Sequence, residues 1–129
     1  MTEIQFYVAF EEGTEPSFRN AYWDNKEPGI YKSIATGVPL FSSKTKFVSG
    51  TGWPSFYEPL PGAPVLERKD SKFGMTRTEV SSKPDFVHLG HIFDDGPQPT
   101  GLRYCINSAA LDFIKVDDLT AEEKKLYWD

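Results

Sequence analysis

The chain has 129 residues, a length that suits one domain with its own core. Its 14 Lys and Arg against 19 Asp and Glu give a formal charge of −5, which argues against nucleic-acid binding because that requires a clustered positive field. The single cysteine excludes an intrachain disulfide framework and suits a reducing compartment, the cytoplasm by default. The N-terminus lacks a secretion-type leader, and no stretch approaches the roughly 20 apolar residues of a membrane span, so no membrane association is expected.

The first elements along the chain are a helix and a long loop. Thr2 with Gln5 three residues later forms a capping-box pattern, which predicts a short helix over 2–10. The segment that follows, 11–29, is rich in turn formers but contains several aromatic residues. We therefore expect it to wrap the domain as an anchored loop with its aromatic rings packed down.

Nine short apolar or β-branched segments separated by glycine and proline predict strands over the rest of the chain. They are 30–35, 38–41, 46–48, 53–57, 64–69, 75–80, 88–93, 102–107 and 110–116. After them, Thr120 and Glu123 form a second capping-box pattern and predict a short helix near the C-terminus. The predicted fold is mainly β, a small twisted antiparallel β barrel or two-sheet fold with short terminal helices, as one domain over 1–129.

The only cysteine lies in the segment LRYCIN. In a strand, alternate side chains share a face, so Arg103, Cys105 and Asn107 are predicted on a polar face and the residues between them on an apolar face. An unpaired cysteine is most often an inert buried residue. Here it lies beside a cation, and Arg103 is expected to favour the thiolate, which is the nucleophilic form. The segment therefore predicts a reactive thiol.

Both histidines lie in HLGHIF, three residues apart. On a regular strand His88 and His91 would face opposite sides, but a bulge at Gly90 would turn both rings the same way. A metal site is the less favoured alternative, because two histidines do not complete a ligand set and the nearby Asp94 and Asp95 begin a turn.

Two further patterns remain open at this point. Cys105, one histidine and Asn107 match the inventory of a cysteine hydrolase, but that asparagine is poorly placed to orient a histidine from another strand. Trp53 in GTGWPSF lies between a glycine and a proline, which fixes its pose; a core tryptophan is the ordinary alternative for such a residue.

Taken together, TEPSF, YWD, GIY, PLFSS, KFVSGTGWPSF and HLGHIFDDGPQPTGLRYCINSAAL strongly resemble the B-type methionine sulfoxide reductases, which reduce the R epimer of methionine sulfoxide. The resemblance runs from about Thr14 to Ile114. It implies a small twisted β barrel and an oxidoreductase that repairs oxidised proteins, with the free amino acid as a second substrate.

The resemblance also implies roles for individual residues. Cys105 attacks the sulfoxide sulfur, methionine is released, and the cysteine is left as a sulfenic acid. Trp53 and Phe93 bind the substrate, with the indole against its S-methyl group. The residues that arrange water and protons around the sulfoxide oxygen are His88, His91, Arg103 and Asn107. Breaking the sulfur–oxygen bond requires a proton donor, and His91 is the preferred one.

Two departures from the common family pattern change the expected mechanism. Many members bind a structural zinc through two CxxC pairs, and the matching positions here are Ser33, Thr36, Ser82 and Asp85. No thiolate remains, so we predict a form without zinc and without any other cofactor. The resolving cysteine of many members is here Thr51, which excludes an internal disulfide.

The sulfenic acid must therefore be resolved by an external thiol, from a thioredoxin or from glutathione with a glutaredoxin. We expect the protein to act as a monomer. The alternative function is a binding module on the same scaffold, in which the aromatic residues hold a small ligand without redox turnover.

Overall fold

Nine strands form the body of the protein in a computed structural model, which describes residues 2–11, 13–71, 76–83 and 87–128. The strands are β1 (Gly29–Ser33), β2 (Pro39–Ser42), β3 (Lys46–Phe47), β4 (Ser55–Phe56), β5 (Val65–Asp70), β6 (Arg77–Ser82), β7 (His88–Phe93), β8 (Arg103–Ile106) and β9 (Leu111–Lys115). Each of the nine predicted segments overlaps one strand, with ends that differ by one or two residues in several cases; position 75 of the sixth segment lies outside the described residues. The prediction of a mainly β fold is confirmed.

The strands pair into two antiparallel sheets, in the orders β2-β1-β9 and β3-β4-β8-β7-β6-β5. Across the described ranges no strand of one sheet pairs with a strand of the other. The two-sheet alternative is therefore confirmed, and a closed barrel is not. The sheets share one core, as shown by Phe41 of β2, whose ring stacks on Phe56 of β4 with 4.5 Å between the centroids.

The core is rich in aromatic residues, because the inward faces of both sheets carry them. Tyr31 lies edge-on to Phe56, with the ring centroids 5.2 Å apart, and both side chains are fully buried. Burying side chains of this size contributes about 1.5–3 kcal/mol each relative to exposure. On β8, Tyr104 and Ile106 point into this core. The predicted apolar face of β8 is thereby confirmed, and its alternate residues face away.

Two short helices lie at the ends of the chain, α1 (Glu3–Glu11) and α2 (Ala121–Glu123), the latter continuing as a π-helical turn over Lys124–Trp128. Both predicted capping boxes form. At α1, the backbone N–H of Thr2 donates to Gln5 Oε1 at 2.7 Å, and the N–H of Gln5 donates to Thr2 Oγ1 at 3.2 Å. The described part of the chain contains no helix long and apolar enough to cross a membrane.

The loop between α1 and β1 packs down only in part. Tyr22 contacts the core as predicted. Phe18, in contrast, is 52% exposed, so the prediction that the aromatic residues of this loop are packed down is wrong for it. Its φ of 59° turns the chain there, and its ring forms a T-shaped pair with that of Trp23, with 4.9 Å between the centroids.

Strand β7 contains the predicted irregularity. Gly90 lies opposite Val80 and His88 lies opposite Ser81, so Leu89 is one residue in excess of the partner strand. A Cβ atom at Gly90 would lie 2.0 Å from the carbonyl oxygen of Cys105, which explains why glycine occupies this position. The bulge brings the two histidine rings together, with their centroids 5.6 Å apart.

Candidate active site

A row of polar residues crosses one face of the six-stranded sheet. Cys105 on β8 lies directly opposite Ser55 on β4 and opposite His91 on β7, and His91 in turn lies opposite Glu79 on β6. Residues directly opposite one another on antiparallel strands have side chains on the same face, with Cβ atoms about 4.5–5.5 Å apart. The thiol and one imidazole are therefore adjacent, as a proton transfer between them requires.

A small cavity of about 100 Å³ lies over this thiol. Its lining includes Trp53, Arg77, His91, Phe93, Cys105 and Asn107. The structure thus brings together five of the seven residues that the sequence singled out. The other two are His88, which lines a cavity nearer to α1, and Arg103, which lines a neighbouring cavity of about 400 Å³.

The thiol of Cys105 is held mainly in its protonated form. Burial raises the pKa of Cys105 above that of an ordinary thiol, while the positive charge of Arg103 and a hydrogen bond from Thr51 act in the opposite direction. Arg103 thus has the predicted effect on the thiolate. The loss of solvent nevertheless outweighs this one cation, so the net direction is upward.

Arg103 is held in place by a carboxylate at the surface. Its Nε donates to Asp95 Oδ1 at 2.9 Å and its Nη2 donates to Asp95 Oδ2 at 3.2 Å, a two-point contact that fixes the guanidinium plane. The guanidinium carbon lies 4.3 Å from the centre of the Phe93 ring. Arg103 lowers the pKa of Asp95, and its charge opposes the effect of burial on the pKa of Cys105. A surface ion pair therefore aligns the cation beside the thiol.

His88 lies deeper than His91 and contacts a buried carboxylate. Its Nδ1 is 2.9 Å from Glu79 Oε2, and both side chains are about 95% buried. Glu79 Oε1 is also 2.7 Å from an Nη2 of Arg68. His88 is therefore next to His91 and away from the cavity over the thiol. Its position suits orientation of His91 better than contact with a substrate.

Asn107 follows β8 and begins a short 3₁₀ turn, Ser108–Ala110. Its Oδ1 accepts from the backbone N–H of Glu15 at 3.1 Å, and its Nδ2 donates to the carbonyl of Leu89 at 3.1 Å. The amide thereby joins the end of β8 to the bulge of β7 and to the N-terminal segment. These bonds to the backbone favour a role in holding the site together.

Trp53 forms a wall between two cavities. Its indole Nε1 donates to the carbonyl oxygen of Glu15 at 3.0 Å, which fixes the ring. One cavity is the small one over Cys105, and the other, of about 470 Å³, is also lined by Phe18 and Trp23. Trp53 is only partly buried, so an indole surface is available to a ligand.

Reasoning from the sequence missed Glu15. Its buried carboxylate accepts the backbone N–H groups of Ser108 and Ala109, and burial raises its pKa, against which these bonds act. The partners lie 93 and 94 positions away in the chain, so no local pattern reveals them. The only indication in the sequence that Glu15 belongs to the site was its place within the motif TEPSF.

The four positions where the resemblance places zinc-binding thiolates do not fit a zinc ion. The hydroxyls of Ser33 and Thr36 accept backbone N–H groups within the turn after β1, at 3.3 and 3.4 Å. Ser82 is a third hydroxyl, and Asp85 lies outside the described residues. A structural zinc site requires thiolate or imidazole ligands. In the ranges that the structure covers, no group of three or more His, Cys, Asp or Glu is arranged to hold a metal.

Comparison with known proteins gives the following matches. The family model for the SelR domain matches residues 1–115. A protein of Vibrio cholerae named peptide methionine sulfoxide reductase MsrA/MsrB is 52% identical over 122 residues, which are 95% of this chain and 32% of that protein. A Mus musculus protein named methionine-R-sulfoxide reductase B3, mitochondrial, is 49% identical over 122 residues, 95% of this chain and 48% of that protein. The chain thus spans about a third and about half of the two relatives.

Proposed function

Since the chain belongs to the SelR domain family, we propose that it is an oxidoreductase that reduces methionine-R-sulfoxide to methionine. The observation that carries the proposal is the placement of Cys105 directly opposite His91, in a cavity walled by Trp53 and Phe93. A thiol, an imidazole and an aromatic wall are what oxygen transfer from a sulfoxide needs. Both relatives described above are named as methionine sulfoxide reductases.

In the proposed reaction, the Cys105 sulfur attacks the sulfoxide sulfur, a bond forms between the two sulfurs, and a proton is added to the sulfoxide oxygen. The oxygen then moves from the methionine sulfur to the cysteine sulfur: its bond to the methionine sulfur breaks, a bond to the cysteine sulfur forms, and the sulfur–sulfur bond breaks as methionine leaves. Cys105 is left as a sulfenic acid. The methionine sulfur gains two electrons and the cysteine sulfur loses two. The thiol releases one proton and the sulfoxide oxygen takes up one proton, so the step requires no other co-reactant.

His91 is the proposed carrier of that proton. Because burial raises the pKa of Cys105, the resting sulfur is mostly a thiol and a base must remove its proton at the moment of attack. His91 is the cross-strand neighbour of Cys105, and an imidazole can both accept and donate a proton. It accepts the thiol proton and returns it to the sulfoxide oxygen, with Arg103 stabilising the developing charge and His88 and Asn107 holding the geometry.

The preference for the R epimer follows from two fixed elements of the cavity. Trp53 and Phe93 hold the S-methyl group, and the donors near His91 and Arg103 receive the oxygen. The S epimer exchanges oxygen and methyl, which leaves buried donors without a partner at a cost of about 1–3 kcal/mol for each group. Such a cost corresponds to roughly 5–150-fold in rate.

The sulfenic acid is resolved by an external thiol. Thr51 occupies the position of a resolving cysteine and the chain has one cysteine in all, so a thioredoxin, or glutathione with a glutaredoxin, attacks Cys105 and forms a mixed disulfide with release of water. A second thiol releases the reduced enzyme. The reaction needs no zinc or other cofactor, and we propose that the protein acts as a cytoplasmic monomer on oxidised proteins.

One assay tests the function. The wild type is expected to reduce methionine-R-sulfoxide with dithiothreitol and to leave the S epimer nearly untouched. Cys105→Ser should lower turnover by at least about a thousandfold with an unchanged melting temperature, since the hydroxyl is a far poorer nucleophile. A ligand-binding module would show no turnover in the wild type, and equal reduction of both epimers would refute the proposed pocket.

A further inference from the structure

Three hydroxyl groups beside Cys105 form a continuous hydrogen-bonded chain. Ser55 Oγ lies 2.8 Å from Ser49 Oγ, and Ser49 Oγ lies 2.8 Å from Thr51 Oγ1. Thr51 is the member that acts on Cys105, because hydrogen bonding by its side chain opposes the effect of burial on the pKa of that thiol. Ser55 is fully buried and is the cross-strand partner of Cys105, so the chain starts and ends at the same pair of strands. We call these three groups the hydroxyl chain.

The number of protons that each hydroxyl carries fixes which group donates and which accepts along the hydroxyl chain. A hydroxyl has one proton to donate and can accept two bonds. The backbone N–H of Thr51 donates to Ser49 Oγ at 3.3 Å, and the N–H of Trp53 donates to Thr51 Oγ1 at 3.4 Å. Each of these two oxygens therefore accepts one bond from the backbone and has room for one more.

A thiolate has no proton, so Thr51 can form a hydrogen bond with it only as the donor. Thr51 must donate its proton to the sulfur and must therefore accept from Ser49, which in turn must accept from Ser55. All three O–H groups then point toward Cys105. Bonds aligned in one direction polarise one another, and donation to an ionised acceptor is about twice as strong as donation to a neutral one.

We propose that the hydroxyl chain is a built-in donor that stabilises the thiolate of Cys105, with Thr51 as the residue in contact and Ser49 and Ser55 as positioning residues. The neutral thiol gains much less, because it is a weak acceptor. The hydroxyl chain and Arg103 therefore both offset the free-energy cost of burying the thiolate. The use of this thiolate as a nucleophile rests on the proposed function; its stabilisation does not.

A structural role for Thr51 is the competing explanation. Its oxygen accepts the N–H of Trp53, and Ser55 Oγ donates to the carbonyl oxygen of Trp53 at 3.2 Å, so under this explanation the hydroxyls serve only the turn that carries the indole. The two explanations differ in their consequence for the sulfur. A turn support changes stability alone, whereas a donor to the thiolate changes the pH at which the cysteine ionises.

The test is the rate of alkylation of Cys105 by iodoacetamide as a function of pH. The chain has one cysteine, so the signal comes from this sulfur alone. Thr51→Val keeps the shape and removes the donor; it should move the midpoint upward by about one pH unit, a tenfold loss of thiolate at neutral pH. Thr51→Ser should retain the wild-type midpoint. Ser49→Ala, which interrupts the chain with Thr51 intact, should give a smaller upward shift.

The control is Thr36→Val, a change at an exposed threonine in the turn after β1, which should leave the profile unchanged. Equal midpoints in the wild type, Thr51→Val and Ser49→Ala would overturn the proposal. If Thr51→Val does not fold, Ser49→Ala decides alone. Alkylation needs no sulfoxide, so the two proposals can fail separately. If the midpoint shifts as expected but the protein does not reduce methionine-R-sulfoxide, the proposed function is refuted and the role of the hydroxyl chain is supported.

Discussion

The indole Nε1 of Trp53 donates to the backbone carbonyl of Glu15 at 3.0 Å. The backbone N–H of the same residue donates to Asn107 Oδ1, and its carboxylate binds two N–H groups of the turn that follows β8. Glu15 therefore connects the aromatic wall of the cavity to the end of the strand that bears Cys105. The position of the indole over the thiol depends on a segment some 90 residues away from that thiol in the chain.

Glu15→Gln should destabilise the protein. The carboxylate offers one oxygen to the N–H of Ser108 and the other to the N–H of Ala109. An amide offers a single oxygen, and its NH₂ group would face the second donor. We expect a loss of about 1–3 kcal/mol in the free energy of unfolding, measured by urea denaturation. Glu58→Gln, at an exposed glutamate, is the matched control and should have little effect.

The difference between the wild type and Glu15→Gln should depend on pH. Burial raises the pKa of Glu15 above 4.5 in the folded state, so the folded protein holds this proton more tightly than the unfolded chain. The stabilising contribution is complete below the pKa of the unfolded chain and declines as pH rises through the higher folded value. The advantage of the wild type should therefore be greatest near pH 4 and smaller at pH 7. A difference that grows with pH would contradict this assignment.

Arg103→Met should make the thiol harder to ionise. Burial raises the pKa of Cys105 and the charge of Arg103 opposes it, so removing the cation leaves the burial effect unopposed by charge. Alkylation at pH 7 should slow several-fold, and the midpoint of the pH profile should rise. Arg19→Met, at an exposed arginine, is the control. An unchanged midpoint in Arg103→Met would show that the guanidinium does not act on the sulfur.

The two histidines should differ in their kinetic effects. His91→Asn removes the imidazole next to Cys105 and should lower the single-turnover rate of methionine formation by about 10²–10⁴-fold. His88→Asn removes a buried ring that contacts Glu79 2.9 Å away; it should lower the melting temperature and slow the reaction less. A greater loss of rate in His88→Asn than in His91→Asn would reverse the proposed roles.

The strands and helix starts could be predicted because their signals are local. Short apolar or β-branched segments between glycine and proline mark the strands, and both capping boxes involve residues three apart. The two faces of β8 follow from the alternation of side chains in a strand, and the glycine at position 90 pointed to the bulge beside it. The order of strands in the sheets could not be predicted, because register is set by contacts between distant segments.

The site could be predicted in its residues but not in its electrostatics. Arg103 next to Cys105 in one strand indicates a lower thiol pKa, yet the net direction depends on burial, which many distant residues determine. Glu15 and the hydroxyl chain were missed for a related reason. Serine, threonine and glutamate are common on surfaces, and only the folded chain shows which of them belong to the site.

Thr51→Cys should convert the protein into one that forms its own disulfide. The Thr51 side chain acts on the pKa of Cys105 as a hydrogen-bonding neighbour, so we expect a thiol at that position to reach the sulfenic acid and to condense with it, with loss of water. After one turnover without external thiol, the variant should retain no free thiol and no sulfenic acid reactive to dimedone, whereas the wild type should be labelled by dimedone. Thr36→Cys, in the exposed turn after β1, should keep a free thiol and a labelled Cys105. Dimedone labelling of Thr51→Cys at the wild-type level would show that the two side chains are too far apart or wrongly oriented, and would also weaken the case for a direct bond from Thr51 to the thiolate.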